Sequence, residues 1–270
     1  MMMKKILVTG AGGYIGSSFC TYMEQFPGKY QIDTVSLWRD EWKRLDFSGY
    51  DAVMHAAGLA HIRETKANRP LYDRINRDLT VEVAKKAKAE GVRQFVFLSS
   101  MSVYGLDEGA ITEETVPHPR SGYGKSKLEA ENLLREMEEE IFRVAVLRPP
   151  MVYGPGCKGN YRALVKLAEV LPVCPDYLNR RSVISIENLC AEIKQVIDQC
   201  SGGILCPQDP EYICTCRMIC EIAEANGKTL PRTKLLNFIP ALLRRFTKKG
   251  RKAFGSLVYS NESKRGHAGV

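Results

Sequence analysis

Lys4-Lys5-Ile6-Leu7-Val8-Thr9-Gly10-Ala11-Gly12-Gly13-Tyr14-Ile15-Gly16 is the stretch on which the fold turns. Lys4 to Thr9 is a short apolar run that stops at glycine, the pattern of a buried parallel strand. From Tyr14 to Phe26 the spacing is helical, and Pro27-Gly28 ends the helix. Between them, Gly10 can make a tight turn, Gly13 lets the backbone approach a pyrophosphate, and Gly16 lets the helix pack close to the sheet. The helix start, at Tyr14 and Ile15, offers unpaired N–H groups and a positive dipole end to an anion. Glycine triplets also occur in plain turns. The strand-turn-helix context is what makes this one a dinucleotide loop.

Working outward, strand and helix patterns alternate. Strands are expected at Ile32 to Leu37, Asp51 to Ala57, Arg93 to Ser99 and Phe142 to Leu147. Helices are expected at Leu71 to Glu90, stopped by Gly91, and at Gly122 to Glu140. Such alternation implies right-handed crossovers and an α/β, doubly wound parallel sheet of the Rossmann type over residues 1–150. Beyond 150 the rhythm breaks at Pro149-Pro150, Gly154-Pro155-Gly156 and Pro172 to Pro175. A helix near Tyr161 to Val170, a strand near Ser182 to Ile186 and a helix from Glu187 to Gln199 follow. Residues 151–270 therefore read as a small C-terminal α+β substrate lobe, interleaved with the sheet.

Composition narrows the function classes. The 270 residues are 44% hydrophobic and 26% charged, a globular balance. No run approaches the roughly 18 apolar residues of a membrane span. Only Ile6-Leu7-Val8 follows the first lysines, too short for a secretory signal, so a cytoplasmic location is expected. The net charge of +8 is unevenly spread. Residues 228–270 hold 11 basic groups and one acid, whereas the first 227 hold 28 basic and 30 acidic groups. None of the nine cysteines forms a C-x-x-C pair. They read as buried thiols, not as a metal site or a disulfide scaffold.

Two motifs carry candidate chemistry. Tyr123 and Lys127 lie four apart on one expected helix, so their side chains share a face. A phenol is a poor base at neutral pH, but a nearby ammonium favours the phenolate and lowers its pKa. Tyr123 could then take or return a hydroxyl proton while hydride moves to a nicotinamide. A half-buried tyrosine with solvated lysines is the plain alternative. Ser99-Ser100-Met101-Ser102-Val103-Tyr104-Gly105 ends a strand, at the sheet edge where open α/β folds bind ligands. There Ser100 could hold the reacting oxygen against Tyr123.

Ser-Ser-x-x-Val-Tyr-Gly, then Tyr123-Gly124-Lys125-Ser126-Lys127, then Arg148-Pro149-Pro150-Met151-Val152-Tyr153-Gly154-Pro155-Gly156 resembles the NAD-dependent epimerase/dehydratase family, extended short-chain dehydrogenase/reductases acting on nucleotide-linked sugars. The resemblance covers about residues 4 to 200. It implies a catalytic trio of Ser100, Tyr123 and Lys127. It further implies that Asp46 reaches the adenine, that Ala56, Ala57 and Gly58 line the cofactor with Ser99 and Pro150, and that Asn76 supports the lysine through water. Asn160 and Arg181 resemble positions that hold the sugar nucleotide's phosphates, Arg by its planar fork. A helix N-cap at Asn160 and a surface strand-edge arginine at Arg181 are the plain alternatives.

Departures from the family pattern refine the expectation. Ser100-Met101-Ser102 replaces the Thr-Asp-Glu of sugar 4,6-dehydratases, which argues against dehydration. Met151 stands where many epimerases carry Asn. The implied reaction is C4 epimerisation through a transient 4-keto sugar. Reduction of a keto-sugar nucleotide is the runner-up, and a non-catalytic dinucleotide sensor the third reading. Homodimerisation through the helices from Leu71 and Gly122 is a family expectation. Cofactor choice stays open between NAD and NADP, since the second strand ends in Ser36-Leu37-Trp38 with Arg39, not an acid, next. The basic stretch Ile239 to Phe254 has two readings. It is a membrane-surface helix, or a lobe helix with its apolar face packed inward and its basic face solvated or attracting a diphosphate. Nucleic-acid binding has no supporting pattern.

Overall fold

The computed structural model describes residues 3–60, 62, 64–157 and 159–260. In chain order the elements are β1 (Lys4–Thr9), α1 (Tyr14–Met23), β2 (Tyr30–Val35), β3 (Ala52–His55), α2 (Arg69–Tyr72), α3 (Leu79–Ala89), β4 (Gln94–Leu98), β5 (Gly109–Ile111) and α4 (Gly122–Arg135). There follow β6 (Arg143–Leu147), β7 (Met151–Tyr153), α5 (Asn160–Val170), β8 (Cys174–Pro175), β9 (Val183–Ser185), α6 (Ile186–Gln199), β10 (Gly203–Leu205), α7 (Thr215–Ala225), β11 (Arg232–Thr233), α8 (Phe238–Phe246), α9 (Lys248–Phe254) and β12 (Leu257–Tyr259). Among the described residues no helix is long and apolar enough to cross a membrane.

The chain divides into two compact units. The first comprises Met1–Gly105, Pro117–Pro150 and Ser185–Pro207; the second comprises Leu106–Val116, Met151–Ile184 and Gln208–Val270. A single boundary at 150 is thus too simple. α6 and β10 belong to the first unit, and the β5 segment to the second.

The first unit is a six-stranded parallel sheet in the order β10-β6-β4-β3-β1-β2. Leu7, Val53, Phe95, Phe97, Val144 and Val146 face one layer with Val83, Ala84, Ala130 and Leu134. Their neighbours Ile6, Val8, Met54, Val96, Ala145 and Leu147 are equally buried. Both sheet faces are covered, which is why these strands read as unbroken apolar runs. Winding reverses between β1 and β3, and a crevice at such a switch point is where ligands of open α/β sheets bind.

Two expected helices differ. Leu71 to Glu90 is not one α-helix; residues Asp73–Asp78 form a wider π-helical turn between α2 and α3. The helix from Gly122 stops at Arg135, five residues before Glu140. Glu136, Glu138, Glu139 and Glu140 would have placed four carboxylates at the negative end of the helix dipole. Instead Glu139 and Phe142 form a bridge that leads into β6.

The second unit packs α5 against α7 around Leu164, Ala168, Cys174, Ile219 and Ala223. Short parallel pairs, β5 with β12 and β8 with β11, edge it. All nine cysteines are free thiols; Cys174, Cys190, Cys216 and Cys220 are buried.

Candidate active site

Gly10 follows β1 with φ +74°, a left-handed conformation that favours glycine. A Cβ there would fall 2.5 Å from the Ala57 nitrogen, so the loop after β1 lies directly against the loop after β3. A Cβ on Gly16 would fall 2.4 Å from the Gly10 oxygen. Only glycine lets α1 start this close to the turn. Gly13 is the N-cap of α1, with no side-chain cap and no acid in the first turn. Its N–H bonds the Gly10 carbonyl at 2.9 Å. Tyr14 and Ile15 open the helix, whose positive end carries no competing carboxylate. These features fit a dinucleotide's pyrophosphate.

The neighbouring loop is clamped from below. A Cβ on Gly58 would meet the Asn76 Oδ1 at 3.1 Å and the Lys127 Nζ at 3.2 Å. Asn76 is fully buried in the π-helical turn, and its Oδ1 accepts the Leu59 N–H at 2.6 Å. Its amide donates to the Leu59 carbonyl (3.1 Å) and to the Ser126 hydroxyl (3.2 Å). The amide thus ties the Ala56-Ala57-Gly58 loop to α4. These direct partners are Leu59 and Ser126, beside the lysine that the resemblance pointed to.

α4 carries the expected pair. The Lys127 ammonium donates to the Leu98 carbonyl at 2.7 Å and lies over the Phe97 ring at 4.5 Å. Burial pulls its pKa down to about 7, against the nearby Glu131 carboxylate, which raises it. Tyr123 is half-buried, and the nearby Ser100 hydroxyl acts to lower the pKa of its phenol. The expected lowering of the phenol is not what is found. Burial pushes it above its ordinary value, and the Ser100 hydroxyl only partly opposes this. Ser100 itself is fixed by the Ser102 N–H (3.2 Å) and hydroxyl (2.9 Å).

Beneath the trio lies a cluster that sequence reading did not single out. Glu131, one turn beyond Lys127, is fully buried and forms an ion pair with Arg148, with an Nη2 to Oε2 distance of 2.5 Å. Arg148 Nε reaches both carboxylate oxygens at 3.2 and 3.1 Å, and Nη1 donates to the Tyr104 hydroxyl at 2.9 Å. Ser99 also donates to Glu131, so its hydroxyl is already engaged. The four-residue step from Tyr123 through Lys127 to Glu131 was the available signal. His55, bonded to Thr9 (2.9 Å) and Thr80 (3.0 Å), is a second buried polar link that was missed. Burial lowers its pKa to about 3, so it stays neutral.

Arg39 is exposed, immediately before a short 3-10 turn, Asp40–Arg44. β2 ends at Val35, two residues before the expected Leu37. Asp46 is exposed and accepts the Ser48 N–H at 2.8 Å, which holds its carboxyl below the ordinary range. Pro150 is buried just after β6. In the second unit Asn160 is exposed at the first position of α5. The N-cap is Gly159, so the capping alternative for Asn160 does not hold. Arg181 bridges to Ile213 and Leu257, and its guanidinium donates to the Gly255 carbonyl at 3.0 Å. Burial lowers its pKa; Arg180 beside it is exposed. Arg181 is therefore not a simple surface arginine.

A glycine-cradled helix N-terminus beside a helix face with a half-buried Tyr and a buried Lys defines a dinucleotide-dependent oxidoreductase-type α/β protein. The model of the NAD dependent epimerase/dehydratase family matches residues 6–200. The chain belongs to that family. It is similar to a UDP-glucose 4-epimerase of Vibrio cholerae, 30% identical over 84% of this chain and 77% of that protein. It is similar to a GDP-6-deoxy-D-mannose reductase of Pseudomonas aeruginosa, 33% identical over 59% of this chain and 56% of that protein. A dTDP-4-dehydrorhamnose reductase of Bacillus anthracis, solved with NADP, shares the fold with a TM-score of 0.73 at 16% identity. That likeness covers 100% of this chain and 94% of the other.

Proposed function

We propose that the protein is an NAD(P)-dependent 4-epimerase of a nucleotide-linked sugar. The observation that carries this reading is the buried Lys127, anchored to the end of β4 and set against Gly58 of the cofactor loop, on the helix that carries Tyr123 beside Ser100. When bound, NAD(P) supplies the acceptor and the donor for the hydrogen at C4. As the phenolate, formed once its own proton has been given up, Tyr123 takes the C4 hydroxyl proton and returns it after the keto sugar has turned. Ser100 holds the reacting oxygen against the phenol. Lys127, anchored by the Leu98 carbonyl and near pKa 7, can hold or release a proton beside the site at neutral pH. Arg181 meets the substrate diphosphate, since a guanidinium partly stripped of water favours an anion. Asn160 would assist from the start of α5. Arg39 would meet the adenosine ribose or its phosphate, and Asp46 the adenine.

A second reading is reduction of a keto-sugar nucleotide. A phenol held above its ordinary pKa is protonated at neutral pH, the state in which it can give a proton to a reduced ketone, and the Pseudomonas relative is a reductase. Incubation with UDP-, dTDP- and GDP-hexoses, followed by product analysis and nicotinamide absorbance, separates the two. Epimerisation gives product with no net absorbance change; reduction consumes one reduced cofactor per product. Conversion of none of these sugars with either dinucleotide would overturn the nucleotide-sugar reading.

A further inference from the structure

Before β12 the second unit carries a helical hairpin, α8 and α9, with an exposed apolar face. Thr247 joins α8 to α9. Its N–H and hydroxyl both bond the Leu243 carbonyl (2.9 and 2.8 Å), and its hydroxyl accepts the Gly250 N–H at 2.8 Å. A Cβ on Gly250 would fall 2.1 Å from the Leu243 oxygen, so the two helices meet backbone to backbone. At about 100° per residue, Phe238, Ile239, Leu242, Leu243 and Phe246 fill an arc of roughly 140° on α8. A surface helix ordinarily turns such an arc to the core. The opposite side holds buried Pro240 and the exposed Arg244, which bonds Glu108 at 2.7 and 3.1 Å and the Tyr177 hydroxyl at 3.3 Å. The apolar arc stays open, with Phe238 64%, Leu242 58% and Phe246 70% exposed, and Leu235 just before it 84%. The inward-packed reading of this helix is thereby overturned.

Charge decides what covers the arc. Residues 234–252 hold seven Lys and Arg and no acid. Arg244 pairs with Glu108 and Lys252 with Asp107. Lys234, Arg245, Lys248, Lys249 and Arg251 have no ion pair among the described residues. A two-fold contact with a second copy would set these cations against one another. A neutral apolar groove would leave them unused. An anionic lipid surface takes both parts, with apolar side chains in the acyl boundary and cations among headgroup phosphates.

We propose that the α8–α9 hairpin docks on a bilayer surface rich in anionic headgroups. Phe238, Leu242 and Phe246 enter the interface, and Arg245, Lys248 and Lys249 meet the headgroups. The proposal is independent of the reaction assigned above.

Flotation of the full chain with vesicles of phosphatidylcholine alone, or mixed with phosphatidylglycerol, tests it. The chain should float with the mixed vesicles, less so at high salt, and not with the neutral ones. Leu242→Ser with Phe246→Ser should reduce binding about tenfold or more, as should Arg245→Glu with Lys248→Glu and Lys249→Glu. Thermal melts should show both variants folded. Failure to bind the mixed vesicles, equal binding to neutral vesicles, or full binding by either variant would overturn the proposal. So would a solution dimer that the serine variant dissolves, which would assign the face to a second copy.

Discussion

The two units place side chains against the ordinary partition of apolar inside and charged outside, in opposite senses. In the first unit Lys127, Glu131 and Arg148 are buried beneath the sheet edge. In the second, Phe238, Leu242 and Phe246 stand in solvent beside a solvent-accessible Arg244–Glu108 pair. A buried charge must be paired and costs stability unless its bonds are complete. An exposed apolar arc costs the fold little but demands a partner. The first arrangement suits chemistry on a bound ligand, and the second suits attachment to a surface.

Substitutions can break this contrast, beginning with the largest effect. Glu131→Ala leaves Arg148 buried without its carboxylate and should cost about 3–5 kcal/mol in urea unfolding. A cost below about 1 kcal/mol would mean that the pair is solvated. Gly16→Val drives a side chain into the Gly10 carbonyl and should weaken dinucleotide binding on the order of a hundredfold by calorimetry. Lys127→Met should raise stability at pH 7 by about 1–3 kcal/mol, net of the lost bond to the Leu98 carbonyl. The folded pKa near 7 lies below the ordinary lysine value of 10.5, so the folded state loses this proton before the unfolded chain does. The cost is full below pH 7 and fades as pH rises toward 10.5. Denaturant melts across that range should show the variant's advantage shrinking with rising pH. Leu242→Ser, on the open face, should change stability by less than about 0.5 kcal/mol.

Legibility in the sequence followed how local the determining physics is. β1, the Gly10–Gly16 loop and the start of α1 were readable because a positive φ and a close helix approach both demand glycine. The shared face of Tyr123 and Lys127 was readable from helical spacing alone. The π-helical turn at Asp73–Asp78 was not, since apolar periodicity survives one wider turn. That turn nevertheless presents Asn76 to Leu59 and Ser126. Wide turns of this kind recur at functional positions. The raised phenol was also invisible, because spacing shows a neighbouring ammonium but not the burial that outweighs it. For α8, the amphipathic pattern is the same whichever way the helix faces. The direction came from Glu108, which lies 136 residues away in sequence.

The central claim is that Tyr123 moves the substrate proton. It is tested most directly by the turnover of Tyr123→Phe with the nucleotide sugar that the unaltered chain converts, alongside calorimetric NAD(P) binding. Turnover should fall about a thousandfold or more while dinucleotide affinity stays within about twofold. Turnover near that of the unaltered chain, with the cofactor still bound, would contradict the assignment.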